Sequence, residues 1–85
     1  MYKCNPAFQV MPVDESSVVV FDPESGDSHI LDGTGKQIFE LCDGTKSLDV
    51  IIEELLLSYK DFAEEIRKDV PEFIDEMLAK AILVE

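Results

Sequence analysis

The spacing of the apolar residues changes at Leu31, and this change divides the chain into two structural parts. Before Leu31, apolar residues alternate with polar ones or run in short β-branched stretches, which is typical of strands. After Leu31, they recur at every third or fourth position almost to the end of the chain, which is typical of helices. We therefore predict an α+β fold in which the strands come first and the helices follow.

Three short segments before the change carry the strand pattern. They are FQVMPV from Phe8, Ser17–Asp22 and Ser28–Leu31. The connection between the last two segments, PESGD, contains the proline, serine, glycine and aspartate that tight turns favour. The second and third strands should therefore pair as an antiparallel hairpin, and the three strands together should form a meander.

Two helices are expected next, and their ends carry recognisable signals. Asp32 or Thr34 can cap the first helix, and Gly44 can take the left-handed conformation that stops it. Ser47 is the predicted N-cap of the second helix, with Asp49 well placed in its first turn.

The second helix carries more apolar residues than one stripe needs, so we expect it to be buried on more than one side. Its main stripe contains Leu48, Ile51, Ile52, Leu55 and Tyr59, and Val50, Leu56 and Leu57 widen it.

The third helical pattern covers residues 62–81 and has Pro71 inside it. A proline in mid-helix loses the hydrogen bond to the carbonyl of Arg67 and crowds that turn. Either the helix kinks there, or a new helix begins with Asp69 and Glu72 as a capping-box pair. Because the apolar stripe continues in phase, we favour one kinked helix, followed by a short extended tail, ILVE.

Length and charge limit the function classes. One domain covering residues 1–85 is expected from 85 residues, of which 46% are hydrophobic. The 19 acidic and 7 basic residues give a net charge of −12, which repels a phosphate backbone and argues against nucleic acid as a direct partner. No apolar run approaches the roughly 20 residues that span a bilayer, so we expect no membrane partner and a cytoplasmic location.

The stretch Gly33–Lys36 looks like a phosphate-binding loop, but it fails both relevant motifs. A P-loop would need glycine where Ile30 stands and serine or threonine where Gln37 stands. The dinucleotide fingerprint would need a small residue at Ile38. A strand-to-helix turn is the better interpretation, and no cofactor is expected.

His29 and the two cysteines, Cys4 and Cys42, do not have the spacing of a zinc site, and no fourth ligand of that kind exists. Without an export signal, the cysteines are expected to be free thiols. Cys42 and His29 also lack an obvious third group to orient a nucleophile and its base. We therefore predict no metal site and no enzymatic activity.

Taken in order, several stretches of the chain resemble one protein family. These are Asn5-Pro6, VVVFDPESGDSHIL, LDGTG leading into IFELCDG, SLDVIIEELLLSY and IRKDVPEFIDEMLAKAILVE. The set is similar to the PqqD-like proteins, also called RiPP recognition elements. The resemblance covers nearly the whole chain and implies a winged helix-turn-helix-like fold, a three-stranded antiparallel sheet followed by three helices.

The resemblance also implies a function. Members of this family are not enzymes; they bind the N-terminal leader of a ribosomally made precursor peptide and present it to a modifying enzyme, often a radical S-adenosylmethionine enzyme, or to a leader peptidase. The leader adds as a strand to the sheet edge, beside the third helix. An exposed edge can accept an extended peptide in this way, and it could also pair with itself, which leaves a monomer or an edge-paired dimer open.

The family's peptide-binding positions fall on the third strand and on one side of the third helix. In this sequence they are Ser28, His29, Ile30, Leu31, Phe62, Ile66, Arg67, Val70, Phe73 and Ile74. Arg67 and Lys68 would supply local cations for an acidic leader.

Two other functions are compatible with parts of the pattern. A DNA-binding winged helix, as in a transcription regulator, has the same fold, but the helices here expose mainly Glu and Asp instead of the cations that a recognition helix needs. An acyl-carrier-type protein would use Ser47 as an attachment site, but that class is helical throughout, and TKSLDV lacks the acidic residue before the serine.

Overall fold

A three-stranded antiparallel sheet forms the first part of the fold, as the strand-like segments before Leu31 predict. The structure, a computed structural model, describes all residues from Met1 to Glu85. The strands are β1 (Lys3–Cys4), β2 (Gln9–Pro12), β3 (Ser17–Phe21), β4 (Ser28–Asp32) and, at the end of the chain, β5 (Leu83–Val84). The sheet has the order β2-β3-β4, with β3 and β4 joined as the predicted hairpin.

Three helices follow the sheet: α1 (Gly33–Leu41), α2 (Leu48–Ser58) and α3 (Ala63–Ala79), with a 3₁₀ turn (Lys60–Phe62) leading into the last. The Ser47 hydroxyl caps α2 by accepting a hydrogen bond from the Val50 amide at 3.4 Å. Asp32 occupies the N-cap position of α1 but makes no capping hydrogen bond with its side chain. The predicted order of strands and helices is confirmed.

The core lies between the inner face of the sheet and the three helices. Because side chains alternate across a sheet, Val18, Val20 and Leu31 face inward and are buried, whereas Ile30 faces outward. The buried cluster contains Val18, Val20, Leu31, Ile38, Phe39, Cys42, Ile51, Leu55, Ile66, Val70, Ile74, Met77, Ile82 and Leu83. Residues from the sheet, from every helix and from β5 therefore contribute to one core, and the partly buried Tyr2 and Cys4 pack against it.

The extended tail forms a strand with a partner that the sequence did not reveal. β5 pairs antiparallel with β1, which places Cys4 opposite Leu83. Asn5 strengthens this junction, since its amide donates to the carbonyl of Ile82 and its side chain donates to the carbonyl of Ala81, both at 2.9 Å. A strand of two residues is too short to show a period, so only the folded chain identifies β1.

Gly44 takes the predicted left-handed conformation, with φ of +87°, but it lies beyond the end of α1. The helix ends at Leu41, and the amide of the C-cap residue Cys42 donates to the carbonyl of Phe39 at 3.1 Å. The Gly44 amide instead donates to the carbonyl of Tyr2 at 2.8 Å. This hydrogen bond attaches the N-terminal segment to the α1–α2 connection, and Gly44 makes it from a backbone conformation with positive φ.

The prediction that α2 is buried on more than one side is wrong. Ile51 and Leu55 are buried, but Val50 is 39% and Leu57 is 74% exposed. The physical reason is that α2 packs against α1 and α3, and no element covers its remaining surface.

Pro71 lies inside α3, which runs without interruption from Ala63 to Ala79. No new helix begins with a capping box at Asp69, so the single-helix interpretation is correct. The ring leaves the carbonyl of Arg67 without its intrahelical donor.

We expect a Pro71→Ala variant to raise the free energy of unfolding by about 1–3 kcal/mol, because alanine restores the missing hydrogen bond and has the highest helix propensity. Urea unfolding followed by circular dichroism measures this difference. Glu72→Ala, at the exposed neighbouring position, is the matched control and should change stability by less than about 0.5 kcal/mol. A Pro71→Ala variant that is no more stable than the wild type would contradict the prediction.

Asp43 organises the connection between α1 and α2. Its carboxylate accepts hydrogen bonds from the Lys46 ammonium at 2.7 Å and from the Thr45 amide at 2.9 Å. The Lys46 and Thr45 hydrogen bonds together hold the pKa of the Asp43 carboxyl well below its usual range.

A carboxyl group with a lowered pKa in the folded state stabilises the fold above its unfolded pKa, near 4, and loses this contribution as the pH falls. We therefore expect Asp43→Asn to lower the unfolding free energy at pH 7, with the difference from wild type shrinking as the pH falls below about 4. Urea unfolding across this pH range measures the difference. Asp75→Asn, an exposed position without an ion pair, should show no such trend. A constant difference between Asp43→Asn and wild type at all pH values would refute the assignment.

No helix of the protein is both long enough and apolar enough to cross a membrane.

Candidate peptide-binding site

The outer edge of β4 is free to accept another strand. At the two ends of the β3–β4 ladder, Asp22 donates its amide to the carbonyl of Asp27 at 2.8 Å, and Gly33 donates to that of Ser16 at 3.3 Å. In an antiparallel pair, every second residue directs its amide and carbonyl to the partner strand. In residues 27–33, the odd-numbered residues therefore bond to β3, and the backbone groups of the even-numbered residues point away from it. The backbone amides and carbonyls of Ser28 and Ile30 are therefore directed outward from the sheet.

The opposite edge of the sheet, formed by β2, is protected. Val13 donates its amide to the carbonyl of Ser17 at 3.0 Å, so the residues of β2 that point outward are Val10 and Pro12. Pro12 has no amide hydrogen and blunts this edge, which is how natural edge strands avoid unwanted pairing. Of the two edges, β4 is the one that suits an added strand.

A shallow cavity of about 240 Å³ lies where β4 ends. It begins at Thr34, in the first turn of α1, and continues to α3. Its lining consists of Thr34, Tyr59, Phe62, Glu65, Ile66 and Asp69. We call the free edge of β4 together with this cavity the β4–α3 groove. α3 contacts α2 and β5 through its backbone, and its residues Glu65, Ile66 and Asp69 form one side of the groove.

Phe62 is the main apolar contact surface of the β4–α3 groove. Its side chain is 52% exposed, although it belongs to the 3₁₀ turn that leads into α3. It lines both the cavity at the end of β4 and a neighbouring one, lined also by Lys60, Asp61, Glu64 and Glu65. A half-exposed phenyl ring between two depressions is suited to hold an apolar side chain of a ligand.

The residues predicted on β4 divide between the edge and the core. Ser28 is exposed and Ile30 is 70% exposed, with its side chain on the outer face of the sheet. His29 is half-buried on the inner face, and Leu31 is buried in the core. The backbone of Ser28 and Ile30, more than any side chain of this strand, is what a peptide could use.

The residues predicted on α3 also divide. Phe62 and Ile66 line the cavity, although Ile66 is largely buried. Val70 and Ile74 are 0% and 1% exposed, so they support the groove from within the core. Peptide contacts by these side chains stay a prediction.

Phe73 is half-buried and packs against α1 at Gly35. A Cβ on Gly35 would lie only 3.2 Å from the ring atom Cε2 of Phe73. Gly35 therefore permits the close approach of α3 to the start of α1, which is the structural role of a residue that resembled part of a phosphate loop.

Arg67 lies on the other side of α3. It borders a depression with Asp49, Ile52, Glu53 and Leu56 of α2, so it does not line the β4–α3 groove. Lys68 is exposed and also lies outside the groove lining. The two cations that the sequence suggested for an acidic leader therefore do not line the β4–α3 groove, and peptide contact by Arg67 stays a prediction.

Sequence reasoning missed four residues that line the cavity: Thr34, Tyr59, Glu65 and Asp69. Glu65 and Asp69 are one helical turn apart, beside the apolar stripe of α3. Their spacing therefore indicated that the two carboxylates are neighbours on one face of the helix. Charged residues next to a stripe are usually solvated, and only the position of α1 shows that these two face a groove.

Cys42 shows no sign of a reactive thiol. Burial, together with the nearby carboxylate of Asp43, raises the pKa of the Cys42 thiol to about 11. The thiol is therefore protonated at neutral pH, and only the thiolate is a strong nucleophile. Both Cys42 and Cys4 are free.

Comparison with known proteins agrees with this architecture. The family model of coenzyme PQQ synthesis protein D (PqqD) matches residues 17–83, from β3 to β5. The chain belongs to the PqqD family. The sequence resemblance to PqqD-like proteins is thereby confirmed, and the match includes both β4 and the part of α3 that borders the groove.

A solved structure supports the PqqD-type fold independently. TbiB1 in complex with the TbiA(beta) leader peptide superposes with a TM-score of 0.82, covering 95% of this chain and 93% of that chain, at 21% sequence identity. At this identity the likeness is one of fold. A search of curated protein sequences gives no match.

Proposed function

We propose that this PqqD-family protein is a non-catalytic peptide chaperone. It binds the N-terminal leader of a ribosomally synthesised precursor by adding it as a strand to β4, and presents the rest of the precursor to a modifying enzyme. The observation that carries this proposal is the unpaired edge at Ser28 and Ile30, which ends at an open cavity.

Main-chain hydrogen bonds would supply most of the affinity. An added strand pairs with the free amides and carbonyls of Ser28 and Ile30, and each such bond contributes about 0.5–1.5 kcal/mol. Alternate side chains of the peptide then face the inner side of the sheet, where the cavity beside Phe62 can hold an apolar residue.

Ordering a free leader limits this affinity. A segment that folds on binding gives up roughly 2–5 kcal/mol of its interaction energy to become ordered. We therefore expect the affinity to be moderate. A chaperone must release the precursor to an enzyme, and moderate affinity permits this release.

The same edge can pair with a second copy of the chain when no peptide is present. A bound peptide would occupy the β4 edge and prevent this pairing, so the peptide-bound protein should be a monomer. The modifying enzyme, a radical S-adenosylmethionine enzyme or a leader peptidase, is part of the proposal on the strength of the family resemblance.

Titration of the ¹⁵N-labelled protein with the leader region of a short precursor encoded beside its gene tests the proposal. We expect amide shifts at Ser28–Asp32 and from Phe62 to Asp69, together with slowed hydrogen exchange at Ser28 and Ile30. Shifts confined to β2 or to the exposed side of α2, or no shifts at saturating peptide, would overturn it.

A further inference from the structure

We infer that the peptide held by the β4–α3 groove is basic, with Lys or Arg side chains placed next to an apolar anchor. The inference rests on the function proposed above and adds the chemistry of the ligand. It is carried by the charges that border the groove.

Carboxylates are the only charged groups that line the cavity at the end of β4. Glu65 and Asp69 both face it, and Asp32 is exposed at the last position of the strand. None of the three forms an ion pair within the protein. A bound peptide therefore meets unneutralised negative charge where its backbone leaves the sheet.

None of the seven cations of the chain lines this cavity. Lys68 is exposed outside the lining, and Lys3 lies in β1 next to Gly44. Lys36, Lys46 and Lys80 are each paired with a carboxylate of their own segment. Arg67 lies on the α2 side of α3. Lys60 borders the neighbouring cavity, together with three carboxylates, Asp61, Glu64 and Glu65.

Two aromatic rings line the same cavity as these carboxylates. They are the rings of Phe62 and Tyr59, and the carboxylates are those of Glu65 and Asp69. An Arg or Lys side chain can lay its alkyl stem on a ring and direct its charge to a carboxylate, and the face of the ring itself attracts cations. An acidic side chain at the same position would meet repulsion from both carboxylates, within a protein of net charge −12.

A display library of random 12-residue peptides, selected for binding to the full chain, tests this inference without knowledge of the natural leader. We expect the selected peptides to be enriched in Lys and Arg, alternating with apolar residues, and to perturb the amides of Ser28–Asp32. Their affinity should fall as the salt concentration rises, because exposed charges are screened.

Two charge-reversal variants of equal net charge test whether the affinity for basic peptides depends on the carboxylates of the groove. Glu65→Lys/Asp69→Lys should weaken the selected basic peptides on the order of tenfold. Glu53→Lys/Asp75→Lys, which changes exposed residues that do not line the cavity, should weaken them at most twofold. Circular dichroism of both variants checks their fold. If Glu65→Lys/Asp69→Lys does not fold, the nearly isosteric variant Glu65→Gln/Asp69→Asn takes its place.

The possible results separate this inference from the function on which it rests. Selection of acidic or uncharged peptides that still perturb Ser28–Asp32, or equal losses in the two double variants, would overturn the basic-peptide inference and leave strand addition intact. No enriched peptide, or peptides that leave the β4 amides unchanged, would overturn the proposed function itself.

Discussion

An Ile30→Pro variant should lose peptide binding while it keeps its fold. The Ile30 amide points away from β3, so proline at this position removes a donor that the sheet does not use. The side chain is 70% exposed, and its replacement leaves no cavity in the core. An incoming strand, however, loses one hydrogen bond and meets the proline ring at the centre of the edge.

We expect the affinity for a leader peptide, or for a peptide selected from the library, to fall by about tenfold or more. One lost hydrogen bond contributes about 0.5–1.5 kcal/mol, 1.4 kcal/mol corresponds to tenfold, and the steric conflict adds to it. Isothermal titration calorimetry measures the change, and circular dichroism reports the fold.

Val10→Pro is the matched control for Ile30→Pro. Val10 also directs its backbone outward, but at the β2 edge, which Pro12 already blunts. This variant should bind peptide like the wild type. If Val10→Pro abolishes binding and Ile30→Pro does not, the peptide pairs with β2 and the assignment of the site is wrong.

An Ile74→Ala variant should lose about 2–5 kcal/mol of stability, because truncating a buried aliphatic side chain removes its transfer free energy and leaves a cavity. Ile74 is 1% exposed in the core between the sheet and the helices. A domain has only about 5–15 kcal/mol of stability in total, so a large fraction is lost. Urea unfolding measures the change.

Phe62→Ala is the matched variant in the groove, and it separates an effect on peptide binding from an effect on core stability. Its side chain is 52% exposed, so this variant should lose less than about 1 kcal/mol of stability and bind peptide several-fold more weakly. If Ile74→Ala instead keeps its stability and loses peptide affinity, Ile74 belongs to the binding surface, as the family resemblance implies.

Most of the fold could be predicted from the sequence because its signals are local. The β-branched run in β3, the turn after Phe21 and the cap at Ser47 each depend on residues close together in the chain, and the structure confirms them. The pairing of β1 with β5 joins segments about 80 residues apart, and short strands leave no periodic trace.

The candidate site was predictable in outline only. A period of 3.6 residues places Ile66, Val70 and Ile74 on one face of α3, but it does not show which neighbour covers that face. The structure shows that the core covers Val70 and Ile74, and that Phe62 remains half exposed. The same pattern could not show that Arg67 faces α2 and Asp69 faces the groove.

By itself, the sequence determined the strand-then-helix order, the turns and caps, the acidic character and the family pattern, because each depends on local composition and spacing. Only the tertiary structure decided that the edge at Ser28 and Ile30 is free, that Pro12 protects the other edge, and that Glu65 and Asp69 face the opening. The directions of backbone groups and side chains relative to distant segments depend on how the helices pack on the sheet, and packing is a property of the whole chain.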